Sequence, residues 1–279
     1  MPPLVYDTVA WLRFYTLLPI PPLPGETDAA AAPDPARTAP AVPLAGAVIG
    51  WIGGMVLVVA WLLGAHHFVA AALALLALIA VTDGRPERAL VAVVERSSGR
   101  QNTEAAHQGG LAAIAEKLHP HHSQVGSHPS ASLGAYGVIA IVLAAILRVG
   151  TIDALTVHAA VAAGFVLVGA GAVSRAAAVS FALIRPEPGA ADAETPGIDQ
   201  SALQWLVVFG LGFGIVTVLP GFGVGATIAG LAAAIGTAAL VTAFVPRAPG
   251  EGGRAFTGAA EITAEIAFLI AVVAFARTP

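Results

Sequence analysis

Residues 42–64 read VPLAGAVIGWIGGMVLVVAWLLG, twenty-three consecutive positions without a charged side chain. A helix needs about 20 apolar residues to cross a hydrocarbon core of about 30 Å. In lipid only a helix or a closed barrel satisfies every backbone N–H and C=O. Similar blocks recur at about 68–82, 133–149, 155–184, 202–219, 224–245 and 257–276. The expected fold is therefore all-α, a polytopic transmembrane helical bundle of about seven spans. Hydrophobic residues make up 57% of the chain and charged residues only 11%, whereas soluble domains carry about 25% charged residues. Strand-like alternation does not recur, which argues against an outer-membrane barrel.

Upstream, Leu4 to Pro21 is a short apolar stretch interrupted by Asp7 and Arg13 and closed by Pro19, Pro21, Pro22 and Pro24. It is expected to form an N-terminal interfacial helix that stops where proline removes the backbone donor. Met1 to Asp7 has no cationic region or cleavage site, so no removable signal peptide is expected. Glu26 to Ala41 is an Ala/Pro/Asp-rich linker. Downstream, the His66–His67 pair marks a tight turn, and residues 83–129 form the longest polar region of a single integral membrane domain, 1–279. Ala89 to Val94 and Leu111 to Leu118 within it have amphipathic helical character. Pro220-Gly221 is the expected hinge between spans five and six. Small residues fill the spans, which permits close helix contact in lipid.

Orientation follows from Lys and Arg. With the N-terminus inside, the inner segments hold Arg13, Arg37, Arg85, Arg88, Arg96, Arg100, Lys117, Arg185, Arg247 and Arg254, and Arg175 lies near the same face. The outer side keeps Arg148 and Arg277. The long polar loop therefore faces the cytoplasm. The net charge is −4 without a basic stripe, which disfavours nucleic acid as a partner. The absence of cysteine excludes disulfides and thiolate chemistry.

Ionisable groups within or beside a span are costly and usually functional, which singles out Arg175, Glu261 and Glu265. The two glutamates are four residues apart, so they share one helix face. That face suits a hard cation such as Mg²⁺; equally, two acids suit the start of a helix, where its dipole favours them. His119, His121, His122 and His128 form a loose group whose spacing matches no metal motif.

Several phrases together resemble a known family. Phe14-Tyr15-Thr16 followed by Leu18-Pro19-Ile20-Pro21, the stretch VPLAGAVIG from Val42, TEAAHQGGLAAIAEKL from Thr103, LGAYGVIAIVL from Leu133, AVSRAAAV around Arg175 and GAAEITAEIAFL from Gly258 follow in order. They are similar to the cobalamin synthase, or adenosylcobinamide-GDP ribazoletransferase, family of the bacterial inner membrane. The departures fall on charge. Gln108-Gly109 stands where the family has an acidic pair, Ala113 replaces its next Asp, and Glu116 keeps a carboxylate. Leu17 replaces the Arg of the opening motif.

The resemblance implies joining of adenosylcobinamide-GDP and α-ribazole, or its 5′-phosphate, with release of GMP. It implies Mg²⁺ as cofactor, with Glu116 and Gln108 as its ligands; Glu261 and Glu265, on their shared helix face, are the candidates to complete the metal site. His107, Glu116 and Arg175 take the catalytic roles, His107 as base or phosphate-orienting group and Arg175 as a phosphate clamp. Gln108, Gly110 and Arg254 take substrate contacts. Implied partners are the two substrates, the lipid bilayer, other cobalamin-pathway enzymes and a second copy of the chain. Two other readings fit a polytopic chain: a small-solute transporter, which would show inverted repeats or paired broken spans, and a non-catalytic membrane scaffold using the polar loop.

Overall fold

The computed structural model describes residues 3–24, 26, 32–97, 134–184, 199–245 and 254–276. Those residues are helical or connecting, and no strand occurs among them. In chain order the helices are α1 (Pro3–Tyr15), α2 (Pro35–Thr38), α3 (Val42–Leu62), α4 (His67–Thr82), α5 (Arg85–Ser97), α6 (Ala135–Ile184), α7 (Gln200–Phe244) and α8 (Arg254–Ala276). A 3-10 turn, Ala39–Ala41, joins α2 to α3.

By length and composition four helical stretches are able to cross a membrane: Pro35–Leu62, Ala135–Ile184, Gln200–Phe244 and Phe256–Ala276. A fifth candidate is the pair α4 and α5, bent by 84° at the left-handed Asp83 and Gly84. The expected count of about seven treats 133–149 and 155–184, and 202–219 and 224–245, as separate spans. In the structure each pair is two helices that meet directly at a non-helical residue, within α6 and within α7.

The first break lies at Ala159, whose extended backbone (φ −163°, ψ 100°) interrupts α6. The sequence suggested a turn between Val149 and Leu155. Instead the helix continues to Ala159, and Thr151 Oγ1 donates back to the carbonyls of Leu147 at 2.7 Å and Arg148 at 3.0 Å. The hydroxyl is thus satisfied without leaving the helix. The second break lies at Gly223, two residues after the expected Pro220-Gly221 hinge. Its φ of 80° and ψ of 179° belong to a region open essentially to glycine alone. At both breaks the chain folds back. Arg148 shares a small cavity with Leu167 and Gly171, and Leu231 packs against Gly214. The breaks meet where His158 stacks on Phe222, ring centroids 5.5 Å apart.

Packing follows the small-residue pattern. Gly46, Gly50 and Gly54 lie along one face of α3, and a Cβ at each would strike a backbone oxygen of α6, that of Gly171, Leu167 or Gly164. The two backbones touch, as small-xxx-small faces allow. Larger apolar side chains point outward, among them Trp51, Leu62, Leu63, Phe165, Val216 and Phe244, as a lipid-facing perimeter requires. One apolar core joins α3, α4, α6, α7 and α8, and a second gathers Trp11 and Leu12 of α1 with α3 and α6.

α1 is the expected N-terminal helix, ending at Tyr15 rather than near Pro21. Trp11 Nε1 donates to Thr38 Oγ1 at 2.9 Å. Arg13 turns back to the carbonyls of Ile20 and Pro21 and to Glu26. Residues 83–129 are not simply a loop, because 85–97 form α5, one amphipathic helix packed on α6 and α8.

Candidate functional site

Two buried arginines sit close together inside the bundle. Arg175, on α6, is 3% exposed. Its Nη2 lies 2.6 Å from Oε1 of Glu261 on α8. That oxygen and Arg175 Nε have no aligned hydrogen bond among the described residues, so charge rather than a directed bond holds the pair. Arg175 Nη1 donates to Gly171 O at 3.1 Å, and the guanidinium lies 5.4 Å from the centroid of the Tyr15 ring, within cation–π range. Burial, and after it the Glu261 charge, push the Tyr15 phenol up, with Arg175 offsetting part.

The second arginine is Arg148, 5% exposed. Its Nη1 donates to Glu87 of α5 at 2.6 Å. Nε and Nη2 donate to Glu265 Oε1 of α8 at 3.1 and 2.7 Å. One cavity of about 10 Å³ touches both arginines, lined also by Thr82, Glu87, Gly171 and Glu265. About one water would fill such a space.

The fold therefore gathers pieces far apart in sequence. Tyr15 comes from the opening phrase, Gly46 from the first span, Arg175 from α6 and Glu261 from α8. The opening phrase is fastened further by Leu17 N donating to Val81 O at 2.9 Å and by Arg85 donating to the Phe14 carbonyl. Glu261 and Glu265 do share a helix face, but each meets its own arginine.

His107, Gln108, Gly110 and Glu116 lie outside the described residues, as do the four loop histidines. Arg254 opens α8, and its side chain lies outside the described ones. Arg175, read as a phosphate clamp, is enclosed by Glu261, Gly171 and Tyr15. Among the described residues no group of three or more acids or histidines is placed to hold a metal ion. Glu261 and Glu265 do not fit Mg²⁺ as they stand, since guanidinium groups at 2.6 and 2.7 Å occupy them.

Arg148, Glu87 and Glu95 were missed by sequence reasoning. The sequence counts Arg148 only among the outer-side charges; the structure buries it against Glu87 and Glu265. The signal was available, since an arginine after thirteen uncharged residues, 135–147, is costly in a membrane and seeks carboxylates.

A family model described as cobalamin-5-phosphate synthase (CobS) matches residues 7–86. The chain is 33% identical to the adenosylcobinamide-GDP ribazoletransferase of Azorhizobium caulinodans over 276 residues, 97% of this chain and 96% of the relative. It is 34% identical to the protein of the same name from Xanthobacter autotrophicus over 281 aligned positions, 96% of each. No solved structure matches.

Proposed function

The chain belongs to the cobalamin-5-phosphate synthase family, and from that premise we propose that it is an adenosylcobinamide-GDP ribazoletransferase of the late cobalamin pathway. The observation carrying this reading is identity of 33% and 34% to two proteins of that name along at least 96% of both chains. In the proposed reaction a hydroxyl oxygen of α-ribazole, or of its 5′-phosphate, attacks the cobinamide-side phosphorus of the pyrophosphate. A new P–O bond forms while the P–O bond to the GMP phosphate breaks. GMP leaves with the electron pair, and His107 takes the hydroxyl proton.

Gln108, Gly110 and Arg254 are proposed to contact substrate. Magnesium is proposed to take Glu116 and Gln108 as ligands rather than Glu261 and Glu265, whose arginines already neutralise them. Arg175 with Glu261 is proposed to support the Tyr15 end of the opening phrase. The protein is proposed to lie in the bacterial inner membrane, its N-terminus and the 83–129 region on the cytoplasmic side, as the distribution of Lys and Arg favours.

The test is a transferase assay on detergent-purified protein with adenosylcobinamide-GDP, α-ribazole and Mg²⁺, scoring GMP and the corrinoid product by mass spectrometry. Turnover that Glu116→Gln abolishes is expected. No turnover from folded protein, beside an active relative, would reject the assignment; unchanged turnover in Glu116→Gln would reject that residue as a metal ligand.

A further inference from the structure

α5 differs from its neighbours in what holds it. α3, α4, α6, α7 and α8 all contribute to the main apolar core, whereas no residue of 85–97 belongs to either core. The buried apolar side chains of α5 are Ala89 and Val93, both small, so the area they remove from solvent is modest. The charged contacts are strong by comparison. Glu87 accepts from Arg148 at 2.6 Å. Glu95, 8% exposed, accepts from the Gly137 backbone N–H at 2.6 Å. Its carboxylate fills the space beside Gly134 and Gly137, where a Cβ at either position would collide with it.

Arg148 is the shared member. It sits on α6 and reaches Glu87 on α5 and Glu265 on α8 at once. Removing one partner of a buried ion pair is strongly destabilising, because the other charge stays in a low-dielectric site uncompensated. Here the loss falls on an element that contributes to neither apolar core. Local opening of that one unit, with the rest of the fold intact, is the expected response.

We propose that Arg148 is a positioning residue whose ion pair with Glu87 docks α5 on α6 and α8, and that Glu87 and Glu95 complete this polar clamp. The docking stands on the geometry alone; its effect on turnover rests on the transferase reading. Arg148 acts through α5, which carries Arg85 against the opening phrase and ends at Ser97.

The experiment is hydrogen–deuterium exchange on the full chain in nanodiscs, with Arg148→Met, Arg148→Lys and Glu87→Gln beside the wild type. Glu87→Gln is the gentler probe, because it leaves the Arg148–Glu265 pair in place. Amides of 85–97 are expected to exchange about 100-fold faster in Arg148→Met and less so in Arg148→Lys and Glu87→Gln, while 42–62 stays as in the wild type in all three and 256–276 stays so in Glu87→Gln, where the Arg148–Glu265 pair is kept. In the transferase assay kcat falls and KM for adenosylcobinamide-GDP holds, with partial recovery in Arg148→Lys. Unchanged exchange over 85–97, or equal acceleration in every helix, overturns the docking. Local acceleration with unchanged kcat overturns the positioning role. A wild type without turnover removes the transferase reading, and the exchange result still decides the docking.

Discussion

At the scale of single residues, the molecule is governed by charges that have left water. Arg175 and Glu261 are both 3% exposed, and their attraction compensates desolvation only while both are present. Arg175→Met and Glu261→Leu should therefore each cost about 3–5 kcal/mol. The double variant should cost less than either alone, since it leaves no buried orphan. Denaturation of the three variants in one detergent tests this as a double-mutant cycle; additive losses would mean that the pair is not coupled. Glu261 and Arg175 were visible in the sequence as charges within spans. Their contact was not, because 86 positions separate them and no local pattern encodes a partner in another helix.

At the scale of elements, some glycines face a neighbouring backbone and others face open space. Gly50 on α3 meets the Leu167 backbone, whereas a Cβ at Gly150 on α6 would meet nothing within 4 Å. Gly50→Ala should force the helices apart and cost about 1–3 kcal/mol. Gly150→Ala should gain up to about 1 kcal/mol from helix propensity. Thermal unfolding of the two variants should shift in opposite directions, and a shared direction would contradict the close approach of α3 and α6. Gly223 is a third kind. With φ at 80°, Gly223→Ala is strained whatever space surrounds it, and a lower melting temperature is expected. The glycine-rich character of the spans was legible as close packing in general. Which glycine abuts which backbone depends on helix rotation, which the apolar residues on every side of these spans leave unspecified.

At the scale of the whole molecule, the fold-back at Ala159 and Gly223 puts both breaks beside each other at one end. The turn after α3 carries Leu63, highly exposed. With the N-terminus inside, a single cysteine at Leu63 should react with an impermeant maleimide from outside the cell, and one at Phe244 only after lysis. The chain has no native cysteine, so the label reports one site. Reaction of the Leu63 cysteine only after lysis would invert the proposed orientation. The sequence alone determined the all-helical membrane class and the family resemblance, since apolar run length and ordered local phrases are properties of contiguous residues. It also singled out Arg175, Glu261 and Glu265. Only the tertiary structure decided that α6 continues through 150–158, that Arg148 is buried between Glu87 and Glu265, and that α5 docks by charge. The last two depend on whether a buried arginine finds its partners, and for Arg148 these lie 61 and 117 residues away. Burial makes such partners obligatory, and only the packed bundle supplies them.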